Sequence, residues 1–298
     1  GAFTIHHGAV GHTRCFGRVV LNSTELSGVQ LPWHSAQWRH ISTLCASDRM
    51  PHALLLKGPS GVGKRRFAEQ LARRLLCLSP EGGPCGVCKG CRLAEASSHP
   101  DFHRVSPLED GKNIGISQIR ALIGRLTLTV SVGAFKVGIV MPAERMTLAA
   151  ANSLLKTLEE PPGNAILVLV SGLSAVLPAT IRSRCQTLMF PAETGDSAVQ
   201  WLQGQLAPEH DARSLLEATN GQPLSVLEWV ETGELEQRAN LATQLNDIST
   251  RKLEPLRAAA EWKKRGARQT LGAMLSMLAT LTRSRIGVAR CSAPGAET

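Results

Sequence analysis

The sequence predicts a parallel α/β fold organised around a phosphate-binding loop, and three observations carry that reading. The first is an apolar stretch, Ala53-Leu-Leu-Leu-Lys57, that runs directly into Gly58-Pro-Ser-Gly-Val-Gly-Lys64-Arg65. The second is the helical period that follows: Phe67, Ala68, Leu71, Ala72 and Leu75 share one face, while Arg66, Glu69 and Arg73 take the other. The third is the return of short apolar runs, at 135–141, 165–170 and 188–190, between helical segments. Continuous apolar strands alternating with helices suit a sheet buried on both faces, which is the parallel arrangement.

Each residue of the loop has a chemical reason. Gly58, Gly61 and Gly63 let backbone N–H groups close on phosphate oxygens at a helix N-terminus, and Lys64 reaches the terminal phosphates. A glycine-rich turn without a ligand is the alternative, and the flanking strand and helix argue against it. The next position departs from the pattern. Where a Ser or Thr hydroxyl would bind Mg²⁺ stands Arg65, and a guanidinium repels a cation. The strand at 135–141 departs again, since its tip reads Met141-Pro142 where a nucleotide hydrolase carries adjacent acids. Glu144, two residues further on, is expected as a solvated turn acid. The sequence therefore points against turnover and leaves binding of ATP or ADP open.

Cys77, Cys85, Cys88 and Cys91 form a C-x7-C-x2-C-x2-C run, with Gly82, Gly83, Gly86 and Gly90 among them. Four thiolates this close suit a tetrahedral Zn²⁺, and the glycines permit turns tight enough for the sulfurs to converge. Such a site is structural, because no coordination position remains for water. Disulfides and a redox C-x-x-C pair are the competing readings. The remaining cysteines, Cys15, Cys45, Cys185 and Cys291, are scattered, as expected in a reducing cytoplasm.

The 298 residues are enough for two or three domains. Lys and Arg number 33 against 24 acids, a net charge of +9 that favours an anionic partner, with nucleic acid the leading candidate. No apolar run approaches the roughly 20 residues of a membrane-spanning helix. Residues 1–30 show neither a secretory pattern nor a helical period and are expected to lie outside the fold; His6, His7 and His12 within them are not assigned to a metal.

From Leu31, Trp33, Trp38, Ile41 and Leu44 fit one face of a short helix, with the tryptophans read as core rather than as platforms for a base. Ser98-His99-Pro100-Asp101-Phe102-His103-Arg104-Val105 reads as a turn leading into a short extended piece, and His99 and His103 are assigned to loop hydrogen bonding because four thiolates already satisfy a metal. A helix through Ile119, Leu122, Ile123 and Leu126 takes Ser117 as its N-cap. The helix at 149–160 stops at Pro161-Pro162. Helical patterns then occupy 194–233 and, through Leu241, Leu245, Leu253, Leu256, Leu271, Leu275, Leu278 and Leu281, much of 235–286. The end, 287–298, reads as an irregular tail.

Several of these pieces together resemble the clamp-loader branch of the AAA+ superfamily, and within it the delta-prime subunits of bacterial DNA polymerase III. They are Pro51-His52-Ala53-Leu54-Leu55, the inserted cysteines, Ser98-His99-Pro100-Asp101, Asn152, Leu154-Leu-Lys-Thr-Leu-Glu-Glu-Pro-Pro162 and Ser183-Arg184-Cys185. The likeness extends over about 31–230.

The resemblance implies three parts: an AAA+ phosphate-loop domain at 31–193 with a zinc module at 77–91, a helical lid at 194–233, and a partial helical collar with its tail at 234–298. It implies that Arg184 reaches across a subunit boundary, as an arginine finger, to the γ-phosphate held by a neighbouring ATPase subunit. A local carboxylate partner for Arg184 is the alternative. Leu224 falls where the motor subunits carry a lid arginine that senses the γ-phosphate. The implied function is that of a non-hydrolysing clamp-loader subunit in a DNA-directed DNA polymerase holoenzyme, placing the sliding clamp on primed DNA. Its implied partners are the ATPase subunits, the clamp-opening subunit, the clamp and DNA. Two rivals remain: an active ATPase or nucleotide kinase employing Glu144, and a zinc-ribbon module that binds nucleic acid.

Overall fold

A computed structural model describes residues 30–79, 84–109, 111–172 and 176–286. The expected leader, the spacer glycines Gly82 and Gly83, and the tail beyond residue 286 lie outside the described residues. Five strands make one parallel sheet: β1 (Ala53–Lys57), β2 (Phe102–Val105), β3 (Lys136–Val140), β4 (Ala165–Ser171) and β5 (Gln186–Met189). Their order is β2-β3-β4-β1-β5, so β1 lies between β4 and β5, with Leu55 opposite both Leu169 and Thr187. β3 and β4 are buried at every position, as their unbroken apolar runs require.

Helices cover both faces. On one side α1 (Ser35–Ala46) and α2 (Lys64–Leu76) pack Trp38, Ile41, Phe67 and Leu71 against Leu54, Leu56 and Val168. On the other, α4 (Ile116–Leu126) and α5 (Leu148–Glu159) bring Ile119, Leu122, Leu154 and Leu158 against Leu55, Leu167 and Leu169. Alternate residues of β1 thus feed opposite cores, the consequence of a two-residue side-chain period. Two short helices complete the domain: α3 (Lys89–Glu95) carries Cys91 in its first turn behind Cys88 as N-cap, and α6 (Ala179–Arg182) precedes β5.

A separate apolar cluster forms from α7 (Asp196–Gln203), α8 (Ala212–Ala218) and α9 (Pro223–Glu231), with Val199, Leu202, Leu216 and Val226 inside it. The chain continues through α10 (Glu234–Ser249), α11 (Pro255–Arg265) and α12 (Ala267–Ile286). Leu253 falls in the turn between α10 and α11 rather than on a helix. Among the described residues no helix is long and apolar enough to cross a membrane.

Two local expectations are corrected. Trp33 does not share the face of α1, because a 3-10 turn at Pro32–His34 precedes that helix. Its ring instead meets Trp201 edge-on at 5.2 Å and joins the cluster of α7 to α9. The N-cap of α4 is Gly115, not Ser117. Gln118 Oε1 accepts the Gly115 N–H at 3.1 Å, the third helical residue reaching back to the backbone of the capping one.

Candidate phosphate loop, cysteine cluster and surface arginine

The loop leaves the tip of β1 and ends at the first turn of α2. Gly58 must be glycine: a Cβ there would stand 1.9 Å from the Phe190 carbonyl oxygen beyond β5. Gly61 and Gly63 take φ of +71° and +98°, which point successive amides inward and which other residues adopt only with strain. Lys64 is buried and donates from Nζ to Gly58 O at 2.8 Å and to Pro59 O. Burial lowers its pKa to about 8, partly offset by the negative charge of Glu144. Arg65 points away, 68% exposed, and pairs with Glu69 at 3.3 Å.

Two further elements hold the loop. Trp33 Nε1 donates to Val62 O at 3.0 Å, and His34 Nε2 meets the same oxygen at 2.8 Å. Since a carbonyl can only accept, that His34 nitrogen carries the proton. Burial holds the His34 imidazole down at about 4, against the opposing pull of this bond. From the other side Leu224 donates its backbone N–H to Gly61 O at 2.9 Å, so α9 closes on the loop. The residue expected in place of a sensing arginine therefore meets the loop through its backbone.

Glu144 is not the solvated turn acid expected. It is partly buried, its Oε1 accepts the Gly172 N–H at 3.0 Å, and its Oε2 is buried without a hydrogen-bond partner. The turn after β3 bends back toward the end of β4, a direction that position along the chain did not disclose.

Cys77, Cys85, Cys88 and Cys91 converge, with all four sulfurs within 4.8 Å of one another. Cys77 and Cys88 Sγ are 3.8 Å apart, and those of Cys85 and Cys91 4.0 Å. These separations are nearly twice a disulfide bond and match the roughly 3.8 Å between corners of a tetrahedron with Zn–S bonds near 2.3 Å. The backbone N–H groups of Leu78, Ser79, Cys85, Cys88 and Cys91 all point at sulfur, at 3.4 Å, which favours thiolates. The Leu78 N–H is the main cause that lowers the Cys88 pKa to about 6, while burial pushes Cys91 up to about 12. The donor set fits a structural zinc ion.

His99 lies nearby but uses Nδ1 to accept the Asp101 N–H at 3.1 Å, as a loop-bonding residue should. His103 sits on β2, in the extended piece expected after that turn, but its buried Nε2 has no hydrogen-bond partner where loop hydrogen bonding was expected. Asp101 is fully buried and accepts from Ser131 N, Val132 N and Lys136 Nζ, the last at 2.7 Å. This brace was not read from the sequence; an Asp in a turn and a Lys opening a strand, 35 residues apart, give no local sign of pairing.

Arg184 follows α6 and is partly exposed. Its Nη2 lies 2.5 Å from Glu159 Oε1 at the end of α5, and its Nη1 donates to Thr180 O at 3.1 Å.

A parallel sheet in this order, with a glycine-rich loop at the tip of the interior strand β1 and a helical cluster closing over that loop, defines a P-loop protein of the AAA+ class. A family model described as DNA polymerase III, delta subunit, matches residues 33–194. DNA polymerase III subunit delta' of Pseudomonas aeruginosa is 37% identical over 234 residues, 78% of this chain and 70% of that protein. The same subunit of Haemophilus influenzae is 38% identical over 72% of this chain and 65% of its own length. The Bacillus subtilis DNA polymerase III subunit tau is 33% identical over 51% of this chain and 26% of that protein. The chain belongs to the DNA polymerase III delta-prime family.

Proposed function

We propose that this chain is a clamp-loader subunit that does not hydrolyse ATP, acts in DNA replication, and lends Arg184 to an ATP site on a neighbouring subunit. The observation that carries this reading is the mismatch within one site. The loop is folded for phosphate, yet Arg65 turns outward where a metal-binding hydroxyl belongs, and β3 is followed by Met141 and Pro142 where acids belong. A nucleotide hydrolase needs both the metal and the polarised water.

Arg184 suits a loan because little holds it. An ion pair as exposed as Arg184 and Glu159 contributes at most about 1 kcal/mol, so exchanging Glu159 for a phosphate costs little. The names of the relatives, subunits delta' and tau of DNA polymerase III, support a hetero-oligomeric setting in which such a partner is present. In this reading the clamp-opening subunit, the sliding clamp and primed DNA complete the assembly, and the zinc module braces the first domain. The division at 31–193, 194–233 and 234–298 assigns the sheet to that domain, α7 to α9 to a lid, and α10 to α12 to the collar.

One observation favours the rival reading of an active ATPase: the negative charge of Glu144 acts on the Lys64 ammonium. Glu144 Oε1 is already engaged by Gly172, and no hydroxyl follows Lys64 to hold Mg²⁺. An ATPase assay of the isolated chain with Mg²⁺ separates the two. The proposed function predicts background turnover, unaffected by Lys64→Ala; brisk turnover lost in that variant would establish the rival.

A further inference from the structure

The sheet ends at β2, and that edge is open. Asp101 O accepts the Val137 N–H at 2.8 Å and Val105 O the Met141 N–H at 2.9 Å, so alternate residues of this stretch face β3. Phe102 and Arg104 therefore turn their backbone groups the other way. The Phe102 N–H is taken by His99 O at 3.1 Å, which leaves the Phe102 carbonyl and both backbone groups of Arg104 at an edge beyond which no strand lies among the described residues. Beside that edge, between β2 and α4, runs a cleft of about 440 Å³.

The cleft is cationic on both faces of the strand. Phe102 packs toward the α2 side and Val105 toward the α4 side, so Arg104 and His103 follow them to opposite faces. Arg104 lies over the Phe102 ring at 4.7 Å, and Arg125 comes from α4. Neither guanidinium has a hydrogen-bond or ion-pair partner among the described residues, and no acid among them lines the cleft. The nearby Glu109 is held by Lys112 at 2.7 Å. Burial, and then the charges of Arg125 and Lys136, hold the His103 imidazole below its ordinary range. Leu108, 83% exposed, adds an apolar wall.

We infer that the β2 edge receives an extended acidic segment of a partner protein as an added strand, its backbone pairing with Phe102 and Arg104 and its carboxylates meeting Arg104 and Arg125. A peptide supplies both donors and acceptors to such an edge, with side-chain contacts setting the choice of partner. A nucleic acid answers the charge less completely: its phosphates only accept, so the Phe102 and Arg104 carbonyls would stay unpaired. A charge that merely guards an edge against pairing is common, but a guard has no need of a cleft, an acid-free lining or an exposed leucine. The site shares no residue with the phosphate loop and stands whether or not the chain hydrolyses ATP.

The test is fluorescence polarisation of a labelled peptide of repeated Glu-Glu-Val with the full chain, a repeat that puts carboxylates on both faces of an extended strand. Wild type is expected to bind it, and Arg104→Glu with Arg125→Glu to weaken binding at least about tenfold, equivalent to roughly 1.4 kcal/mol. Lys252→Glu with Lys263→Glu makes the same change of net charge at exposed positions outside the cleft and is expected to keep wild-type affinity. Should the reversed pair fail to fold, Arg104→Gln with Arg125→Gln reads the same contacts. N-methylation of the peptide valines removes backbone donors while keeping every charge, and is expected to weaken binding as well. Absence of binding by wild type, an equal loss in the Lys252 and Lys263 variant, or full affinity for the N-methylated peptide would overturn the inference. A single-stranded oligonucleotide that binds where the peptide does not, and is lost in the Arg104 and Arg125 variant, would overturn it in favour of nucleic acid.

Discussion

Leu224 donates its backbone N–H to the carbonyl of Gly61 at 2.9 Å, so the first turn of α9 is fastened to the crown of the phosphate loop. Loop and helical cluster therefore share one packing arrangement, and a change in the loop should be felt as stability. A Cβ on Gly61 would stand 2.1 Å from Ser225 Oγ and 2.9 Å from Gln222 Cβ, on a backbone with φ of +71°. Gly61→Ala is expected to destabilise the chain by about 1–3 kcal/mol, measured by urea denaturation. Adding Ser225→Ala should recover part of the loss by relieving the closest contact. A single variant within about 0.5 kcal/mol of wild type would mean that α9 does not bear on the loop.

The cysteine cluster predicts one zinc per chain by elemental analysis. Cys88→Ser is expected to lose the metal and to lower the thermal midpoint, because metal–sulfur bonds would tie Cys77, Cys85, Cys88 and Cys91 into one site. Chelation of the wild type should reproduce the same shift. If instead the variant kept its midpoint and lost affinity for DNA, the zinc-ribbon reading would gain.

His34 predicts a pH dependence whose sign is fixed. Burial lowers its folded pKa from 6.5 to about 4, so the unfolded chain takes up a proton between those values while the folded chain does not. The stability that a neutral His34 contributes is therefore full above pH 6.5 and declines as pH falls toward 4, by about 3 kcal/mol. His99 and His103, also held low mainly by burial, add to the same slope. The difference between wild type and His34→Gln isolates the part due to this residue. A difference that does not change between pH 7 and pH 4 would contradict the buried neutral ring.

Much of the sheet was legible because its signals are local. The apolar run of β1, the glycines of the loop and the period of α2 each lie within a dozen or so residues, and the four cysteines announce one another by spacing. What escaped is what depends on distant partners. Glu144 could not be seen meeting Gly172, 28 residues away, until β3 and β4 were paired. Trp33 was drawn off the face of α1 by Trp201, and Gly115 was capped by Gln118 in place of a conventional side-chain cap. Arg184 shows a further limit: its motif suggested a role, while only the fold revealed the carboxylate it rests on, Glu159.

The central claim is that this chain supplies a cation to a reaction carried out elsewhere, and single-turnover ATP hydrolysis by a reconstituted clamp loader containing Arg184→Ala tests it most directly. The expected result is an assembled complex in which hydrolysis at the adjoining site slows on the order of 10³-fold, with zinc content and folding of this chain unchanged. Hydrolysis at the wild-type rate in that assembled complex would contradict the claim.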